Sequence, residues 1–380
     1  MSRATVVNAD CRDVLRGLAD SSVDAVVTDP PYEIGFMARG WDSAGVAFDV
    51  ELWRDVLRVL KPGGFLLAFG ATRTFHRMAV AVEDAGFELR DVIAWIRGGP
   101  VMPKGLDVSK ALDKAAGARG HEAGNMRVDD GTGTASYRAH NVKNYQRPPP
   151  VTDDAKRWLG WHTALKPLVE PVVVARKPLA GTIVDNVRTH GVGALNVGAC
   201  RIGSDVRVNP PAANKPGGVS TNMSARGMPT NAAPTVAVGR WPPNVVFSHA
   251  LECEPDKCAE GCPVVELDQQ GAPVVAFPAF RYQAKASTRD RGANNPHPTV
   301  KPSALMRWLV RLVTPKNGLV LDPFTGSGTT AVACVLEGAR FIGAELSSEY
   351  HATALARIKQ AEQLVAGDQL DLFDDLGGDS

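Results

Sequence analysis

Residues 319–345 read LVLDPFTGSGTTAVACVLEGARFIGAE. Gly318 to Leu321 has the apolar density of a buried strand, Gly326 and Gly328 punctuate a tight turn, Thr329 to Glu337 predicts a helix, and Phe341 to Ala344 predicts a second strand. Strand, turn, helix and strand in so short a span form a βαβ unit, which requires a parallel sheet covered on its faces. Glycines let a ligand approach the backbone, and successive N–H groups opening a helix can hold an anionic group. No Gly-Lys-Ser/Thr closes the turn, which excludes a P-loop and leaves a dinucleotide or another carboxylate-bearing nucleotide. Glu345, at the end of the next strand, has the position of an acid that bonds ribose hydroxyls; a solvated strand-end acid is the other reading.

The same grammar opens the chain. Val23 to Thr28 (VDAVVT) predicts a buried strand that ends at Asp29-Pro30-Pro31-Tyr32. Leu52 to Leu60 has helical spacing, Lys61-Pro62-Gly63-Gly64 is read as a break, and Phe65 to Phe69 as a second strand; a helix over Phe75 to Ala85 and a strand over Val92 to Ile96 follow. Ligands of open α/β sheets bind beyond the carboxyl ends of strands, so Asp29 to Tyr32 should face a cleft. The exocyclic amine of a nucleobase is a weak nucleophile because its lone pair is delocalised. A carboxylate and a carbonyl accepting its two N–H bonds would localise that pair, and Asp29 and the Pro30 carbonyl have this chemistry. Tyr32 offers a stacking face for an extruded base. A strand-ending turn with a structural tyrosine is the plainer alternative.

The 380 residues predict two or three domains, at about 150 residues each. With 44% apolar and 22% charged residues the chain is expected to be folded and water-soluble. No apolar run has the length of a membrane span, and Asp10 interrupts the start before a signal-peptide core could form, so a cytoplasmic setting is expected. Net charge is only +1, but 20 Lys and Arg face 10 Asp and Glu between Arg97 and Arg240. A basic middle between acidic ends fits a surface that meets a phosphate backbone, or an ordinary solvated surface poor in acids. From Gly98 to about Pro296 the periodicity breaks up, and Val208 to Val238 is expected to be a mobile loop. Order resumes with a helix over Ser303 to Val313. Six cysteines are too sparse for a disulfide scaffold. Three of them form His249-x3-Cys253-x4-Cys258-x3-Cys262, a donor set suited to a closed tetrahedral zinc site; free, partly buried thiols are the other reading.

Together the DPPY element, the FxGxGT element of Phe324 to Thr329, and His297-Pro298-Thr299-Val300-Lys301-Pro302 resemble the amino-methyltransferases of DNA. Their order, with a long insertion between, looks like the permuted beta group of phage and bacterial members. The resemblance covers roughly residues 5 to 97 and 297 to 360. It implies S-adenosylmethionine as cofactor and double-stranded DNA as substrate, with Asp29, Pro30 and Tyr32 at the target base. It further implies that Asp322, Phe324, Gly326, Gly328, Thr329 and Glu345 line the cofactor, that Asp10 meets its adenine ring and that Lys301 lies near its methionine end. A capping residue and a surface lysine are the plainer readings of Asp10 and Lys301. Members with Asp at the first position of the tetrapeptide mostly methylate adenine at N6, and those with Ser mostly cytosine at N4, so Asp29 points to adenine. Cytosine N4 methylation, or a DNA-binding protein with an inactive core, are the rival functions.

The implied architecture is a doubly wound, Rossmann-like α/β methyltransferase sheet. Residues 1–97 carry the target-base half and 297–362 the cofactor half, split by a loop-rich target-recognition insertion at 98–296. Residues 363–380 predict an acidic flexible tail. Within it Gln369-Leu370-Asp371-Leu372-Phe373 resembles the short peptides that dock onto the bacterial sliding clamp; folding back onto the enzyme's own surface is the competing reading.

Overall fold

The computed structural model describes residues 3–35, 42, 44–97, 105–118, 149–209, 235–249, 253, 257–259, 262–269, 279–281, 295, 297 and 300–367. They separate into a large unit, residues 1–100 with 168–380, and a small one, residues 101–167.

In the large unit β1 (Ala4–Val7) leads through α1 (Cys11–Gly17) to β2 (Val23–Thr28), and then α2 (Val50–Val59), β3 (Leu60–Phe69), α3 (Phe75–Asp84) and β4 (Glu88–Ile96) follow. The small unit holds α4 (Val108–Ala115) and α5 (Asp153–Arg157). There the buried Asp113 carboxylate accepts bonds from Val151 N, Thr152 N and Thr152 Oγ1. The large unit resumes with β5 (Val169–Arg176), α6 (Ile183–His190), β6 (Ile202–Asn209), β7 (Thr235–Arg240), β8 (Val245–His249), α7 (Pro263–Gln269) and β9 (Ala279–Arg281). It closes with α8 (Ser303–Val313), β10 (Leu319–Asp322), α9 (Thr329–Leu336), β11 (Arg340–Ala344) and α10 (Ser348–Ala366).

Nine strands form one sheet in the order β1-β11-β10-β2-β3-β5-β4-β8-β9, in which only β5 runs antiparallel to its neighbours. Every residue of β2 is buried. Its alternation sorts the two faces: Ala25 and Val27, with Leu67 and Phe69 of β3, pack against α8, α9 and α10, whereas Val26, Leu66 and Ala68 pack against α1, α2 and α3. The layers are helix, sheet, helix. This is the doubly wound, Rossmann-like sheet expected. The one charge inside β2, Asp24, is compensated by Lys61 Nζ at 2.5 Å and Leu319 N at 2.6 Å.

β10 and β2 lie side by side and parallel, with Val320 opposite Ala25 and Leu321 opposite Val26. The chain leaves β10 toward β11 on one side and β2 toward β3 on the other. Their carboxyl ends therefore flank the crevice where the winding reverses.

Three expectations are corrected. The helix ends at Val59 as expected, but Lys61 to Gly64 is not a connection: it lies within β3, where a register shift absorbs it and Gly63 (φ +78°) admits the Asn186 side chain, which donates to Pro62 O and Val192 O. Residues 98–296 are not one insertion outside the sheet. Leu168 begins a return to the large unit, and the apolar run Val172-Val173-Val174-Ala175 fills the gap between β3 and β4 as β5. Finally, the ends of the expected loop at Val208 to Val238 are the paired strands β6 and β7; residues 210–234 lie outside the described ones.

Candidate active site

Asp322 ends β10 fully buried, and three donors converge on it: Thr28 Oγ1 and Phe324 N on Oδ1 at 2.6 and 3.0 Å, and Thr330 Oγ1 on Oδ2 at 2.6 Å. Burial pushes its carboxyl up to about 6, against the pull of the Thr28 and Thr330 hydroxyls. Asp322 thus locks the end of β10 to that of β2 rather than facing solvent.

The following turn is built by its glycines. Gly326 takes φ +53° and lies against the ring of His297: a Cβ there would stand 3.0 Å from Nε2. Gly328 takes φ +82° because the first turns of α10 fill its side-chain space, with Ala354 Cβ only 2.9 Å from where a Cβ would be. The hydroxyl of Thr329 and the Ser327 carbonyl both receive Arg357 Nη1, at 3.1 and 2.6 Å, so Thr329 braces the turn. Phe324 packs against the core on the face of the sheet that α1, α2 and α3 cover. Glu345 sits past β11, where its Oε2 accepts Gly326 N at 2.8 Å and its Oε1 accepts Ser347 N at 2.7 Å; partial burial raises its carboxyl. Each oxygen retains a second lone pair, which suits a hydroxyl-rich ligand. Asp10 caps α1, accepting Arg12 N at 2.8 Å, and its side chain stays partly open at the carboxyl end of β1.

Across the crevice, Asp29 Oδ2 accepts Lys301 Nζ at 2.5 Å. Its Oδ1 is buried and has no hydrogen-bond partner among the described residues. Tyr32 is oriented at three points: its N donates to Asp42 Oδ1 (2.8 Å), its carbonyl accepts Thr74 Oγ1 (2.7 Å), and its hydroxyl donates to Glu170 Oε2 (2.9 Å). Burial first, then the Asp29 and Glu170 carboxylates, hold the phenol well above its ordinary value, so it stays neutral. Glu170 also pairs with Arg97 Nη1 at 2.8 Å and Lys301 Nζ at 3.7 Å. The Lys301 ammonium stands over the rings of Phe69 (4.9 Å) and Tyr32 (5.2 Å). Burial pulls its pKa down, but Asp29 and Glu170 outweigh that and raise it.

The structure therefore groups Asp29, Pro30, Tyr32 and Lys301 at the end of β2, and Asp322, Phe324, Gly326, Gly328 and Thr329 at the end of β10, with Glu345, past β11, bonded to that turn. Sequence reasoning missed Glu170, Arg97, Asp42 and Thr28. Glu170 had a signal, a lone acid opening the apolar run of β5. His249, Cys253, Cys258 and Cys262 converge elsewhere, at the end of β8. Gln369 to Phe373 lie outside the described residues.

A glycine turn with acceptors for hydroxyls, set across a crevice from a buried carboxylate oxygen with spare capacity, has the two halves of a group-transfer site. The profile of the N6_N4_Mtase family, described as DNA methylase, matches residues 23–356, and the chain belongs to that family. It is similar to the type II methyltransferase M.HindIII of Haemophilus influenzae, 25% identical over 396 residues that span 93% of this chain and 94% of that one. It is also similar to the DNA adenine methyltransferase YhdJ of Escherichia coli, 40% identical over 90 residues, 24% of this chain and 28% of that one. Among solved structures, PvuII DNA methyltransferase (cytosine-N4-specific) aligns over 97% of this chain and 94% of that one, at 14% identity and a TM-score of 0.46.

Proposed function

We propose that the protein transfers a methyl group from S-adenosylmethionine to the N6 amine of adenine in double-stranded DNA. The observation that carries the proposal is Asp29 Oδ1, a buried acceptor without a partner at the end of β2, beside the glycine turn of β10. An unsatisfied buried carboxylate oxygen costs free energy unless a ligand donor meets it, and an exocyclic amine is such a donor.

When bound, the cofactor supplies an electrophilic methyl on a sulfonium. The backbone of Phe324 to Thr329 and the Glu345 carboxylate are the groups of this chain that would hold it, with Asp10 at the neighbouring strand end. Asp29 Oδ1 and the Pro30 carbonyl accept the two N–H bonds of the target amine, which localises its lone pair. Lys301 neutralises the other oxygen of Asp29 and keeps the carboxylate in place. Tyr32, its hydroxyl tied to Glu170, presents an oriented ring to an extruded base. Asp29 Oδ1, which would accept an N–H of that amine, would also take the proton that the methylated amine sheds.

Adenine is favoured by the acid at position 29 and by the likeness to the adenine methyltransferase YhdJ. The basic excess between Arg97 and Arg240 supports a DNA-contacting role for that stretch. Incubation with labelled cofactor and diverse duplex DNA, followed by nucleoside mass spectrometry, tests the proposal. N6-methyladenine is expected; N4-methylcytosine alone overturns the base assignment, and no methylation at all favours a DNA-binding protein with an inactive core.

A further inference from the structure

We propose that His249, Cys253, Cys258 and Cys262 bind a structural zinc ion that pins the chain after β8 to the outer region of the sheet. The one donor atom that each residue offers lies within 4.8 Å of all the others. Cys258 Sγ is 3.3 Å and Cys262 Sγ 3.8 Å from His249 Nδ1. A tetrahedron with Zn–S of about 2.3 Å and Zn–N of about 2.0 Å separates its ligands by roughly 3.5–3.8 Å, so the side chains are close to their coordinating positions.

The donor chemistry selects the ion. The three thiols and one imidazole that converge among the described residues are poor ligands for calcium or magnesium and suit zinc. Four protein donors fill a tetrahedron and leave no site for a reacting water, which makes the role structural. Ala259 N also points at Cys253 Sγ, at 3.3 Å, the kind of N–H support that ligating thiolates receive.

The local fold shows what the ion would supply. His249 is the last residue of β8, and Cys262 immediately precedes α7. Among the described residues the buried core that joins them is Phe247, Cys262 and Val264, with only partly buried side chains around it, Ile96, Val245, Val265, Leu267, Ala259 and the thiols of Cys253 and Cys258. Three buried side chains hold this corner weakly, and a metal cross-link from His249 to Cys262 would add to that hold. The site also abuts the crevice through side chains. Trp95 Nε1 donates to Ser248 Oγ at 2.8 Å, and the Trp95 ring meets Phe69 edge-on, beneath Lys301.

The full chain, expressed without an affinity tag and purified without chelator, should carry about one zinc per chain by elemental analysis. Cobalt substitution should give thiolate charge-transfer absorption with the intense visible bands of a tetrahedral ion. Removing the metal should speed hydrogen exchange in residues 245–269 while leaving 319–345 unchanged. Cys258→Ala should lose the metal, and Cys253→His, which restores a donor, should retain it. Less than about a tenth of an equivalent of zinc, with none taken up after thiol reduction, overturns the proposal. So does an octahedral cobalt spectrum, or full zinc content in the Cys258→Ala/Cys262→Ala variant.

Discussion

Lys301 Nζ donates to Asp29 Oδ2 at 2.5 Å, across 272 positions of sequence. A buried ammonium needs a carboxylate partner, and here it has two, Asp29 and Glu170. The contact joins the HPTVKP segment to the DPPY turn, while His297 of the same segment lies on the Gly326 turn. Two residues four positions apart, His297 and Lys301, thus reach the two halves of the site.

Replacing Asp29 with Ala is expected to lower methyl transfer by about 10³-fold or more, because the amine loses its orienting acceptor and the carboxylate proposed to take its proton. Cofactor affinity should change little, since the Gly326 turn is held by Glu345 and Arg357. Labelled-methyl assays beside calorimetric cofactor titration separate the two; an equal loss of cofactor binding would count against the assignment.

Glu170→Gln keeps the shape of a residue that holds Tyr32, Arg97 and Lys301 but removes its charge. With one carboxylate gone, the raised pKa of Lys301 falls, so the ammonium is lost at lower pH. The expected result is a kcat reduced roughly tenfold or more, with the alkaline limb of the kcat–pH profile moved to lower pH. An unmoved limb would show that Glu170 does not act through Lys301.

Burial pushes the Asp322 carboxyl up to about 6 from an ordinary 3.8. An acid raised by folding adds stability that is complete below its unfolded pKa and is lost as pH rises through the folded one. Asp322→Asn keeps an acceptor for Thr28 and removes the charge, so it should match the wild type near pH 4 and exceed it by about 1–3 kcal/mol above pH 7. Urea unfolding at the two pH values measures this. A gap independent of pH would contradict it.

Glu345→Ala removes the acceptor of Gly326 N and Ser347 N. Cofactor affinity is expected to fall about 10- to 100-fold, with a stability loss of roughly 1–2 kcal/mol from the two freed N–H groups. Glu345→Gln, which keeps one acceptor, should recover part of each. Calorimetry and thermal melts distinguish these; unchanged affinity in the alanine variant would remove Glu345 from the cofactor site.

The sequence by itself determined the parallel α/β class, the strand–turn–helix around Gly326, the helix over Ser303 to Val313, and the placement of Asp29 and Asp322 at strand ends. Each is written in local periodicity and punctuation, which a few neighbouring residues dictate. The tertiary structure alone decided that β2 lies beside β10, that Val169 to Arg176 enters the sheet antiparallel and brings Glu170 to Tyr32, and that Lys301 meets Asp29. It also decided that Lys61 to Gly64 stays in a strand, because Asn186 occupies the space over Gly63. These outcomes depend on which distant surfaces bury one another and which buried charges find partners, and residue order along the chain carries no local sign of either.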